Sequence, residues 1–140
     1  AAPACMGQYD HLHLTVVQKP EILVQINAAF QKAVGDPNMQ VTYGAPTVIY
    51  VSCKNEDEEI VKGCNAGVVM ENMLLEAADL GLGAVYLFGV SQVLFANEEI
   101  TKLLQIPEGF RTVSAIAVGT SADALQERTL GTDKISTTTL

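Results

Sequence analysis

Two histidines, three cysteines and a short acidic run are the side chains whose types could do chemistry. His11 and His13 stand two apart in a strand-like stretch, so alternation places them on one face, as a metal pair would be. A zinc site needs three or four ligands, and no third is spaced to join them, so they read as ordinary histidines. Cys5, Cys53 and Cys64 are odd in number and show no CxxC spacing, which indicates neither a disulfide framework nor a zinc knuckle. Cys5 reads as a small hydrophobe rather than a redox thiol, and Met70 and Met73 as packing residues. The run Glu56-Asp57-Glu58-Glu59 reads as a solvated loop or helix start. No Ser/His/Asp order and no isolated carboxylate pair suggests acid–base or nucleophilic catalysis.

The elements that would position a site follow from periodicity. His11–Val17 alternates as a strand, and Pro20 opens a helix to Val34, whose stripe is Ile22, Leu23, Ile26, Phe30 and Val34 and whose stop is Gly35-Asp36-Pro37. After a polar loop, Pro46–Cys53 is β-branched and apolar without helical gaps, a central strand buried on both faces. The segment from about Glu59 to Leu80 is helical and ends at Gly81. Its polar residues Asn72, Glu76 and Asp79 share one narrow stripe with Glu71 beside it, while nearly everything else from Ala66 onward is apolar. Asn72 is either solvent-facing on that stripe or a buried polar device on a dimer axis. A helix apolar around most of its circumference needs cover on most sides, more than one small domain supplies, so a second copy of the chain is expected against it. A short strand (84–88), two short helices, the second capped by Asn97, a turn at Pro107-Glu108-Gly109 and a strand (112–119) complete the pattern.

With 140 residues, 49% of them hydrophobic, the chain is expected to form one domain, 1–140. Its formal charge of −8 and scattered cations oppose nucleic-acid binding. No run is long enough to span a bilayer, no signal peptide is visible, and the reduced cysteines suggest a cytoplasmic location. A start at Ala1-Ala2-Pro3 without an initiator Met is expected to mean that a segment upstream is missing.

The stretch from Asn72 to Gly89, with Gly81-Leu82-Gly83 after the helix and a short strand beyond, resembles the FMN-dependent nitroreductase family. Two further segments agree with that family in order and spacing: Leu103–Gly109 ahead of Val113–Gly119, and Ala2–Gln8 ahead of the first strand. The resemblance implies an α+β sandwich of helices around a mixed sheet, an intertwined homodimer joined through the 59–80 helix, and FMN in the clefts between subunits. It implies an oxidoreductase in which NAD(P)H reduces FMN and a nitroaromatic, quinone or similar small molecule reoxidises it in a ping-pong cycle. Pro3, Ala4, Cys5 and Gly7 match the loop that packs on the partner's flavin ring, with Gln8 or Tyr9 matching the family's Gln. Leu87, Phe88 and Gly89 match the segment whose backbone approaches the ring, and Arg128 matches a C-terminal phosphate-binding Arg.

Where the family has small hydroxylated residues and an Asn, this chain has Ala4, Cys5 and Gly7, and Gln126 stands where a second cation is common. The family's Arg-Arg-Ser-x-Arg-like phosphate grip has no counterpart, so the domain reads as N-terminally incomplete. Those departures leave an alternative: a flavin-sequestering or degenerate relative without catalytic activity.

Overall fold

A computed structural model describes residues 7–89, 93, 97–123, 127, 129, 131 and 134–140. Four strands form one sheet in the order β1-β2-β4-β3: β1 (Leu12–Val17), β2 (Thr47–Lys54), β3 (Gly83–Tyr86) and β4 (Phe110–Gly119). Its helices are α1 (Pro20–Val34), α2 (Glu59–Asp79) and α3 (Glu98–Leu103).

All three strand pairings are antiparallel. The resemblance implies a mixed sheet, so a parallel neighbour would have to come from outside the described residues. β2 and β3 run the same way with β4 between them, and α2 is the crossover that joins them.

Side-chain alternation along the two central strands divides the core. Val48 and Tyr50 of β2 and Ala115 and Ala117 of β4 face Ile26 and Phe30 of α1 and Ile100 of α3. Val51 and Cys53 of β2 and Ile116 of β4 face Ala66, Val69 and Met70 of α2. Helices therefore cover both faces, and β2 is buried on both sides, as its unbroken apolar composition requires. A register shift between Val51 and Ser52 leaves Val113 as the extra, unpaired residue of a bulge on β4, which lets it join the α2 side out of step with Ile116 and Val118.

The helix ends follow local chemistry. Pro20 occupies the first turn of α1, where a missing N–H costs nothing, and Gly35 closes it at φ 74°. After α2, Gly81 at φ 69° allows Leu82 N–H to reach Ala77 O at 2.8 Å and Gly81 N–H to reach Ala78 O at 3.0 Å. That paired closure points the chain straight into β3.

The first strand begins one residue later than alternation suggests. Tyr9–His11 form a single 3₁₀ turn, and His11 Nδ1 lies 2.7 Å from Asp57 Oδ1 while the His13 ring meets Phe110 edge-on. The two histidines therefore do not act as a pair on one strand face. Asp57 is not a solvated member of its acidic run either, since its side chain is only 7% exposed. It is enclosed in the turn between β2 and α2. Leu87 lies just past β3 rather than within it, and Phe88 and Gly89 begin a helical turn.

Candidate functional site

β3 delivers the segment that matters. Its pairing with β4 ends at Tyr86, but Leu87 N–H still donates to Ala115 O at 2.7 Å, and the Leu87 side chain is buried in the α1-side core. That anchor fixes the path of the next two residues, which turn outward: Phe88 is 62% exposed, and a Cβ at Gly89 would meet nothing within 4 Å. The Gly89 backbone is therefore open to close approach by a ligand.

A cleft of about 260 Å³ lies beside this segment. Leu87, Phe88, Gly89 and Tyr86 form one wall, Phe30 of α1 closes its depth, and residues 39–41 with Tyr43 form the opposite wall. The loop behind the opposite wall is pinned to α1: Val41 N–H donates to Asn27 Oδ1 and Gln31 Nε2 to Met39 O, both at 2.9 Å. None of the lining residues is His, Cys, Asp, Glu, Lys or Arg. Apart from the phenols of Tyr43 and Tyr86, the described lining carries no group suited to take or give a proton or attack a substrate, which suits chemistry carried by what binds.

The titratable groups with perturbed environments lie elsewhere: burial raises the pKa of the Tyr50 phenol within the α1-side core, and the others lie where β1 begins and β2 ends. Glu59 accepts hydrogen bonds from Lys62 Nζ and Arg111 Nη2, and these hold its carboxyl below the usual range, Lys62 first. Lys62 is itself nearly enclosed and also donates to Asn55 O at 2.9 Å. Burial, reinforced by the Asp57 charge, pushes the Cys53 thiol up to about 11, so it remains protonated and packs as a small apolar group. These contacts staple the turn that launches α2 and touch no cleft. Among the described residues, no group of three or more His, Cys, Asp or Glu is arranged to hold a metal.

Of the sequence-matched site residues, the structure brings together Leu87, Phe88 and Gly89. Gly7 is exposed, adopts φ 73° and does not line this cleft. Pro3, Ala4, Cys5 and Arg128 lie outside the described residues. Sequence reasoning missed the opposite wall, passing over residues 39–43 as a polar loop. The available signal was Tyr43-Gly44-Ala45-Pro46, an aromatic ring placed inside turn chemistry in a chain with few aromatics.

Comparison with known proteins places these features in context. Solved structures with this fold include an FMN-bound nitroreductase from Bacteroides fragilis NCTC 9343, with TM-score 0.79 and 23% identity, covering 98% of this chain and 80% of that one. Another is an FMN-bound nitroreductase from Desulfitobacterium hafniense DCB-2, with TM-score 0.81 and 20% identity over the same shares. A Methanothermobacter thermautotrophicus protein named as an NADH dehydrogenase/NAD(P)H nitroreductase is 33% identical over 115 residues, 79% of this chain. The chain spans 56% of that relative's length. The model of the nitroreductase family matches residues 8–120, from before β1 to the end of β4, and the chain belongs to that family.

Proposed function

We propose that the chain is one subunit of an FMN-dependent oxidoreductase, oxidising NAD(P)H and reducing a nitroaromatic, quinone or similar small acceptor. The observation that carries this reading is the cleft beside Leu87–Gly89, which has largely apolar and aromatic walls, an open glycine backbone and no acidic or basic side chain among the described residues, in a chain of this family. FMN-bound relatives of the same fold supply the identity of the cofactor. FMN, when bound, supplies the two-electron redox chemistry in alternating halves of a ping-pong cycle.

The chain's own residues bind and orient. The Phe30, Tyr86 and Phe88 side chains offer flat apolar surface to a ring system, the Gly89 backbone admits its edge, and the buried Leu87 holds the wall in place. The fit is good for the ring and incomplete for the phosphate among the described residues, where no Lys or Arg lines the cleft; Arg128 lies outside them.

A second copy of the chain completes the site in this reading. About 260 Å³ is less than the ~300–1,000 Å³ usual for a small-molecule pocket, so one subunit offers part of a site. α2 leaves apolar surface uncovered at Ile60 and Leu75, with Val68 half-buried between them, and Leu14 and Val16 of β1 stand exposed on the same side of the sheet. Gly63 and Gly67 on that helix face have nothing within 4 Å of a Cβ position, which would let another backbone come close. The separation of Gly7 from its own cleft agrees with a loop that serves the partner's flavin.

The departures of Ala4, Cys5, Gly7 and Gln126 from the family's pattern favour a second reading, a flavin-sequestering relative that performs no turnover. Purified protein is expected to absorb near ~450 nm, as flavoproteins do, or to take up added FMN, and to oxidise NAD(P)H with a quinone acceptor. Flavin binding without NAD(P)H consumption would select sequestration. A chain that neither carries nor takes up FMN would end both readings and leave the degenerate relative.

A further inference from the structure

Tyr43 occupies a backbone conformation that its own fold does not reward. Its φ is 54° and that of Gly44 is 71°, and Ala45 N–H donates to Thr42 O at 2.9 Å, so Thr42–Ala45 form a tight turn with both central residues left-handed. Such turns favour Asn-Gly, because the first position suits a residue that tolerates positive φ and a bulky side chain there is strained. Strain in a buried residue can be offset by packing, yet the Tyr43 side chain is 70% exposed while its neighbours Val41 and Thr42 are 5% exposed. The backbone on either side is held, with Val41 and Thr42 buried, and the Tyr43 ring projects from it.

The ring projects at a particular place. Tyr43 stands between a wider cleft of about 500 Å³ along Gly83–Val85 and the cleft beside Leu87–Gly89, and it lines the latter together with Phe30, Tyr86 and Phe88. The chain has 4 Tyr, 4 Phe and no Trp, so half of its aromatic residues, four of eight, meet at this one cleft. Aromatic residues concentrated on an open wall, one of them held there against its backbone preference, are what recognition of a flat ring requires.

We propose that Tyr43 is a cofactor-contacting residue whose ring stacks on the flat ring system held in the cleft, and that its strained turn exists to present it. This rests on the flavin reading above, and the test separates the two. The wild-type chain, Tyr43→Phe and Tyr43→Asn are titrated with FMN while flavin fluorescence is followed, and each is melted without FMN. A stacked phenol quenches flavin emission by electron donation, which a phenyl ring does far less well. Tyr43→Phe is expected to keep the wild-type Kd and to bind FMN with brighter emission. Tyr43→Asn is expected to bind about fivefold to tenfold more weakly, the size of one aromatic pair. Its emission when saturated should also be brighter than wild type. Relieved of strain, it should melt a few degrees higher, roughly 2–4 °C. Wild-type FMN binding with an unchanged Kd and emission in Tyr43→Asn would remove the role of Tyr43 and leave the flavin reading intact. A Tyr43→Asn chain that melts lower than wild type would show the ring to be packed for stability and would equally overturn the proposal. Wild-type protein that binds no FMN would remove both.

Discussion

At the residue scale, Glu59 shows how an exposed charge can still matter. Its carboxyl joins Lys62, in the first turn of α2, to Arg111 on β4, and so ties the start of the helix to the sheet. The two cations lower its pKa from 4.5, Lys62 contributing most. A carboxylate with a lowered folded-state pKa stabilises the fold above its unfolded value, and that contribution is lost as pH falls through the folded value. Glu59→Gln is therefore expected to melt below wild type at pH 7, and the gap should close in acid, below pH 4.5. Thermal melts of both proteins across that range check it, and a gap independent of pH would show that the loss is not electrostatic. The effect should be modest and weaken with salt, since all three groups reach solvent to some degree or pair at the surface.

At the element scale, α2 does two jobs with two faces. Asn65, Ala66, Val69, Met70 and Ala77 are buried, with Met70 fully so between the helix and the sheet. Met70→Ala removes a thioether from a close-packed site and leaves a cavity, at a cost of about 2–5 kcal/mol. Urea unfolding should show a lower midpoint with an unchanged slope. The opposite face carries Glu71, Asn72, Leu75, Glu76 and Asp79 in the open, and Asn72 Nδ2 donates back to Val68 O at 2.8 Å. Asn72 is thus a solvent-facing residue in the single chain, and the polar stripe reads correctly as exposed. The helix is not covered all round by its own domain: Ile60 is 71% exposed and Leu75 61%. None of the helices in the described residues is long and apolar enough to cross a membrane, so a bilayer-spanning role does not account for that surface.

At the scale of the whole molecule, the exposed face of α2 is where the proposed second copy of the chain would sit. Ile60, Leu75 and the half-buried Val68 run along it, and Leu14 and Val16 extend the uncovered surface onto the sheet edge. Isolated exposed leucines need no explanation, but a continuous stripe beside two glycines does. Replacing Ile60 and Leu75 together by Lys would cost a monomer little, because exposed substitutions rarely change stability by more than about 0.5 kcal/mol. In the homodimer proposed here, the same double variant buries two unpaired charges at the contact and should sediment as a monomer. Its FMN affinity should fall with dimerisation if the site is shared between subunits. Equilibrium sedimentation of both proteins reads the first outcome and FMN titration the second. A wild-type chain that sediments as a monomer would end the two-subunit site.

Much of this architecture was legible along the chain because helices and strands announce themselves by period. α1 and α2 appear within a residue of their expected ends, since Pro20, Gly35 and Gly81 set those ends by local backbone chemistry. The double burial of β2 follows from an apolar run with no polar alternation. One wall of the candidate site, Leu87–Gly89, was also reachable from the chain, because it is contiguous and follows a recognisable helix and strand. Sequence could not reveal Phe30, Tyr43 and Tyr86 as a single aromatic cleft, for they come from a helix, a turn and a strand that only the sheet order β1-β2-β4-β3 brings together. Nor could it reveal that His11 leaves the strand to meet Asp57, since a hydrogen bond between residues 46 positions apart depends on where β1 and β2 pair. Local period and turn chemistry act over a few residues and can be read in order. The meeting of distant side chains is set by strand register and helix packing, which exist only once the chain has folded.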